Sequence, residues 1–104
     1  MTKGVLIVES RPASPDDAAA FHRWYEDTHI PEILSVDGFI SARRFESLDG
    51  DSFLVLYEIT GDVEAAKGNL AAALKSGSMS RPVAVQLDPP PTMQYLRDIG
   101  EHGS

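Results

Sequence analysis

The sequence predicts an α+β protomer with the order β-α-β-β-α-β, the ferredoxin-like arrangement built on a four-stranded antiparallel sheet. Three observations carry that expectation. A two-residue hydrophobic repeat lies on either side of "LDGD", residues 48–51, which marks a central hairpin with Asp49-Gly50 at its tip. Two helical stretches of similar length flank the hairpin, and strand-like runs stand outside them. With 104 residues, the chain reads as a single domain over 1–104, long enough to bury a modest core.

Each element has its own local signal. Residues 4–10, "GVLIVES", are short and β-branched, and "RPASPDD" follows with turn chemistry. Ser14 is placed to cap a first helix, with Pro15 at its first position and Asp16 and Asp17 near the positive end of its dipole. The pattern runs to His29, where Ile30 precedes Pro31. A residue before proline avoids helical geometry, so a break or kink is expected near His29, with "PEILS" as a further short turn. "FISARRFES" then alternates Phe39, Ser41, Arg43 and Phe45 against Ile40, Ala42, Arg44 and Glu46. "SFLVLYEIT", 52–60, is the returning strand, and "GDVEAAKGNLAAALKSG" is a second helix closed by Gly77. Gly68 weakens that helix by about 1 kcal/mol relative to alanine unless close packing wants it there. Residues 78–91 are the least readable, with a short helix or strand near 82–87 before "DPPP" bars regular structure. Residues 92–100 alternate again as a last strand, and "EHGS" reads as a frayed end.

Composition removes several function classes. There is no cysteine, so disulfides, thiolate nucleophiles and Cys-ligated metals are absent. A net charge of −7 with scattered basic residues argues against a nucleic-acid or anionic-membrane surface. No apolar run approaches the roughly 18 residues that span a bilayer, and the N-terminus has no signal-peptide pattern, so a cytoplasmic protein is the expectation. Strand 53–59 is apolar on both faces, with Phe53, Val55, Tyr57 and Ile59 on one and Leu54 and Leu56 on the other. Such a strand wants cover on both sides, which points to a homodimer formed by sheet packing.

The stretch "WYEDTHIPEILSVDGFISARRF", 24–45, resembles the signature of small dimeric α/β-barrel proteins of the EthD-like kind. That signature has an aromatic pair, a histidine four residues later within His-x-Pro, a short turn, and Gly-Phe-x-x-Ala-x-Arg. "VDGF" departs from the commoner proline-glycine turn. The resemblance implies a cleft between the first helix and a concave sheet. Its members include cofactor-free monooxygenases, muconolactone-type isomerases, polyketide cyclases, dehydratases and decarboxylases. It would set the central histidine on His29, the aromatic pair on Trp24 and Tyr25, and the strand arginine on Arg43 or Arg44.

Read residue by residue, the first helix carries His22, Tyr25, Glu26 and His29 on one face and Phe21, Trp24 and Thr28 on an adjacent one. Phe21, Trp24 and Thr28 are most simply core. His29 is the candidate general acid/base, because an imidazole titrates near neutral pH. Its plainer role is to bond carbonyls freed at the proline. Glu26 and Asp27 are near enough in sequence to raise its pKa. Tyr57 and Tyr95 are candidate hydrogen-bond donors to a substrate oxygen, against plain sheet packing. Trp24, Tyr25 and Phe39 would line a substrate, and Arg43, set by alternation on the face of Phe39, would meet a substrate carboxylate or an internal glutamate. Arg44 would face the other way. His22 is placed either at the surface or at the cleft. His22, Glu26 and His29 have spacing for three metal ligands but match no standard motif, so neither a metal nor another cofactor is expected. Together these residues suggest a cofactor-independent enzyme doing isomerisation, cyclisation, dehydration or decarboxylation on an aromatic, polyketide-like or lactone substrate. The alternatives are a cofactor-free monooxygenase and a non-catalytic dimer that binds a hydrophobic small molecule or serves as an accessory subunit.

Overall fold

The computed structural model describes residues 2–103, so Ser104, within the tail expected to fray, lies outside the described residues. Four strands, β1 (Thr2–Ser10), β2 (Phe39–Glu46), β3 (Phe53–Thr60) and β4 (Thr92–Arg97), form one antiparallel sheet in the order β2-β3-β1-β4. The helical layer lies on one face. It comprises α1 (Ala18–Trp24), a π-helical turn (Tyr25–His29), α2 (Ile30–Leu34) and, after the hairpin, α3 (Val63–Lys75). This is the ferredoxin-like α+β fold. Among the described residues no helix is long and apolar enough to cross a membrane.

The first helix begins as a 3-10 turn, Pro15–Asp17, with the two aspartates in its first turn. Ser14 does not cap it in the expected way, since its hydroxyl donates to the Asp17 carboxylate at 2.8 Å. The helix does not break at His29, and the irregularity expected there takes the form of the π-helical turn. Ile30 is helical, with φ −61° and ψ −47°, and its N–H reaches back to the Tyr25 carbonyl. The helix absorbs Pro31 by widening into an i→i+5 turn just ahead of it, which relieves the clash a proline ring makes with the preceding turn.

In β2 a register shift between Phe39 and Ser41 leaves Ile40 as an extra residue. The strict alternation expected over 39–47 therefore fails at its start. Phe39 pairs with Ile59, Ala42 with Tyr57 and Arg44 with Val55, so these three residues of β2 face the helices. Ser41, Arg43 and Phe45 face the other way, opposite the assignment that alternation suggested for Arg43 and Arg44.

Between sheet and helices lies the core, which includes Leu6, Val55, Tyr57 and Ile59 from the strands, Phe21 and Ile33 from the first helical run, and Val63, Ala66 and Leu70 from α3. Asp62 caps α3 by accepting from the Glu64 N–H at 3.0 Å. Gly38 joins α2 to β2 with φ +105°, and a Cβ there would come within 2.9 Å of the Ala66 Cβ, so both conformation and space require glycine. At Gly68 nothing packs close, so this residue has no tertiary compensation. The sheet's other face carries half-buried Val5, Ile7, Leu54 and Leu56, and no helix among the described residues covers it. Residues 78–91 form neither helix nor strand. An isolated bridge between Pro12 and Val85 and the bonds Ala13 N–H to Ala84 O and Gln86 N–H to Arg11 O anchor them.

Candidate functional site

A cavity of about 160 Å³ opens between the first helix, the sheet and α3. Its floor is Leu6 and Val8 of β1 with Met93 of β4, and Leu70 and Leu74 form one wall. Pro82, Val85 and Pro91 of the irregular segment close it from outside. Trp24, Tyr25 and His29 supply the polar side-chain atoms of an otherwise aliphatic lining.

The π-helical turn makes that lining possible. In a regular α-helix, five residues at roughly 100° each would set His29 about 140° around the axis from Trp24. The widened turn brings positions i and i+5 into line instead. The Trp24 and His29 rings stack at 4.4 Å with planes 16° apart, and Tyr25 meets His29 edge-on at 5.3 Å. The separation of His29 from the Trp24 stripe, expected from helical periodicity, is therefore undone.

Burial pushes the His29 imidazole below its ordinary value of 6.5, and the nearby Glu32 carboxylate partly opposes this. Glu32, one turn further along, is the influence here, whereas Glu26 is drawn away to Arg44. His29 is consequently neutral at physiological pH. Its Nδ1 and the Trp24 Nε1 are both buried, and neither has a hydrogen-bond partner among the described residues. Such groups normally find partners, because an unsatisfied buried donor costs about 1–3 kcal/mol. Tyr25 is different, since its hydroxyl is paired with Ser10 Oγ at 2.7 Å. Burial raises its phenol, while Ser10 and Arg44 draw it down.

The other residues singled out in the sequence sit elsewhere. Arg44, on the helix side, donates from Nη1 to Glu26 at 3.1 Å and from Nη2 to His22 Nδ1 at 3.0 Å, with its guanidinium 5.4 Å from the Tyr25 ring centre. Because arginine only donates, His22 accepts through Nδ1 and carries its proton on Nε2. The His22 ring also packs edge-on against Phe53 at 4.5 Å, so it belongs to this clamp and does not line the cavity. Arg43 is exposed on the open sheet face, stacked over Phe45. It meets neither Phe39 nor the cavity.

Tyr57 is fully buried, its phenol pushed well above the ordinary range first by burial and then by neighbouring Tyr25, against a smaller pull from Arg44. Its hydroxyl has no partner among the described residues, but Tyr57 does not line the cavity. Phe39 packs against it at 6.4 Å in the core. Tyr95 on β4 lies under the Lys67 ammonium, 5.7 Å from its ring centre, also away from the cavity. Among the described residues no three His, Asp or Glu side chains are grouped to hold a metal ion. Of the residues expected to form the site, the structure brings together His29, Trp24 and Tyr25. It adds aliphatic and proline residues from distant segments, and it adds Glu32, whose i+3 spacing from His29 was visible in the sequence.

No family model and no curated protein sequence matches the chain. Its structure is similar to the crystal structure of a monooxygenase from the gene ActVA-Orf6 of Streptomyces coelicolor in complex with the ligand nanaomycin D. That likeness has a TM-score of 0.66 and 18% identity, and it covers 99% of this chain and 93% of that one. The structure is also similar to that of Rv0793 from Mycobacterium tuberculosis, with a TM-score of 0.59 and 18% identity over 96% and 99% of the two chains. At this identity the likeness establishes the fold.

Proposed function

We propose that the chain is a small enzyme of the dimeric α/β-barrel kind, related to the EthD-like proteins through residues 24–45, and that it acts on an aromatic or polyketide-like molecule held in the cavity against the Trp24–His29 stack. The carrying observation is the pair of buried, unpartnered polar atoms on two stacked rings inside an apolar enclosure. An indole N–H only donates, so Trp24 wants an oxygen acceptor, such as a carbonyl or a developing phenolate. A neutral imidazole offers a lone pair that takes an acidic O–H or C–H proton. The two groups thus suit one substrate, with an oxygen on the Trp24 side and an acidic hydrogen on the His29 side. As the proton moves to His29, its electron pair delocalises onto the oxygen that Trp24 steadies. Return of the proton to another carbon completes an isomerisation, and departure of hydroxide, which leaves as water with that proton, completes a dehydration. In a decarboxylation His29 instead takes the carboxyl proton, the electron pair of the breaking C–C bond passes onto the oxygen that Trp24 steadies as carbon dioxide leaves, and His29 returns the proton to that carbon.

A second reading is favoured by the structural likeness to a monooxygenase. Here the substrate carbanion formed by the same deprotonation reduces molecular oxygen without a cofactor. A phenol ring C–H becomes a quinone C=O, one oxygen atom enters the ring, and the other leaves as water with the two hydrogens lost from carbon and hydroxyl. Both readings share His29 and differ in their need for oxygen.

The test is turnover of a panel of hydroxynaphthalenes under air and under nitrogen, by the wild type and by His29→Ala and His29→Gln. Loss of about 10²–10⁴ in kcat/KM in variants that remain folded is expected for both substitutions. Undiminished turnover in either variant would sink the reading, and a dependence on air selects the second chemistry over the first.

The homodimer is part of the same proposal. Val5, Ile7, Leu54 and Leu56 on the uncovered sheet face, bordered by Leu96 and Phe45, support pairing of two sheets face to face. Light scattering should then find about twice the 11.3 kDa of one chain, and a persistent monomer would refute the pairing.

A further inference from the structure

Glu32 has a position that neither the core nor the fold's hydrogen bonding requires. Its two carboxylate oxygens accept from the Ser80 backbone N–H at 3.0 and 3.1 Å, and one also accepts from the Ser80 hydroxyl at 2.8 Å. Ser80 stands 48 residues away, at the start of the irregular segment whose Pro82, Val85 and Pro91 close the cavity. Before it, Ser78 is bonded to the end of α3 through the Ala73 carbonyl, and after it the next tie is the Ala84 carbonyl, which accepts from the Ala13 N–H beside the bridge at Val85. Among the described residues, the hydrogen bonds holding residues 79–83 to the rest of the protein are those from Ser80 to Glu32. Glu32 lies one helical turn from His29, on α2, which continues directly from the π-helical turn that presents His29 to the cavity.

We propose that Glu32 is a positioning residue that latches the segment 78–91 over the cavity and, with the same carboxylate, balances the charge that appears on His29 when it accepts a proton. The second half rests on the reading of His29 as the base, whereas the first does not. A single carboxylate then links enclosure of the substrate to the protonation state of the imidazole. With the segment closed, Glu32 is fixed by three hydrogen bonds and its charge is held beside His29. With the segment released, the carboxylate is free to turn to water and the imidazolium loses that support. Among the described residues Glu32 forms no ion pair: Arg81 and Asp88 on the segment and Lys75 at the end of α3 are exposed, and the Tyr25 hydroxyl is engaged by Ser10. Glu32 acts through Ser80 and His29 and is not itself a group that touches substrate.

Two readouts independent of turnover test this on the full chain. The first is amide hydrogen exchange at Ser80 and the adjoining residues. Glu32→Ala should speed exchange there roughly tenfold or more, because charge-assisted bonds are lost, while β1 and α3 stay protected. Glu32→Gln, which keeps an acceptor for Ser80, should speed it less. The second is the NMR titration of the His29 ring. Both Glu32 variants should lower its midpoint, and Ser80→Gly, which keeps the charge but loosens its hold, should lower it less. Glu26→Gln, on the same helical run but paired to Arg44, should move neither readout. Unchanged exchange at Ser80 in Glu32→Ala overturns the latch, and an unmoved His29 midpoint in Glu32→Gln overturns the charge balance. If His29→Ala retains full turnover, the base reading fails while the exchange result still decides the latch.

Discussion

Replacing Leu70 and Leu74 one at a time by alanine tests whether α3 docks as described and whether its residues wall the cavity. Both leucines line the cavity, one turn apart on the same helix, but Leu70 is 1% exposed and Leu74 51% exposed. Each substitution removes the equivalent of three methylenes. For Leu70 the lost transfer free energy is about 2.4 kcal/mol, at roughly 0.8 kcal/mol per buried methylene. The void it leaves adds to this, which places Leu70→Ala at about 3 kcal/mol or a little more. For Leu74, half of that area is already in water and no closed void forms, so about 1 kcal/mol is expected. The unfolding entropy of 104 residues, at roughly 2.1 cal/mol/K each, is about 0.22 kcal/mol/K. The melting temperature should therefore fall by about 14 °C for Leu70→Ala and about 5 °C for Leu74→Ala, read by calorimetry at one fixed protein concentration. Equal losses at the two positions, or a larger loss at Leu74, would mean that α3 is rotated from the orientation described and that the cavity wall is misassigned.

Other consequences are equally direct. Burial holds His29 below 6.5, so its contribution to stability is fully present above that pH and is lost as the pH falls from 6.5 toward the folded-state value. Urea titrations between pH 7.5 and 5 should show this loss in the wild type and a flatter curve in His29→Gln, and identical slopes would contradict the burial of the imidazole. Tyr25→Phe strands the buried Ser10 hydroxyl and should cost about 1–2 kcal/mol, whereas adding Ser10→Ala to it should cost little more, a coupling that a double-mutant cycle measures. Arg44→Met removes the clamp on Glu26 and His22 and should destabilise by about 1–2 kcal/mol, while Arg43→Met, on the exposed face, should stay within about 0.5 kcal/mol. Matching losses for the two arginine variants would refute the register shift in β2.

Much of the fold was legible in the sequence because its signals are local. The hairpin at Asp49-Gly50, the β-branched run of β1 and the alanine-rich α3 closed by Gly77 each announce an element through neighbouring residues. The site was legible only in part. His29, Trp24 and Tyr25 stood out as residue types, but helical periodicity placed His29 on a different face from Trp24. Likewise, strand alternation put Arg43 on the face that Arg44 occupies. Both errors come from one extra residue, in the π-helical turn ahead of Pro31 and in the bulge at Ile40, since an insertion changes the facing of everything beyond it. Residues 78–91 offered no periodicity at all, although they supply three of the residues that close the cavity and the Ser80 contact to Glu32.

By itself the sequence determined the order and kind of the elements, the aromatic and histidine content of the first helix, and the apolar character of both faces of β3. Those properties follow from backbone preference and hydrophobic repeat, which depend on residues a few positions apart. Only the tertiary structure decided that His29 stacks on Trp24, that Arg44 clamps His22 and Glu26, and that Glu32 holds the distant Ser80. Their reason is geometric: the helix must accommodate a proline while lying against a sheet that carries a bulge. The local distortions that satisfy this packing determine which side chains meet the cavity.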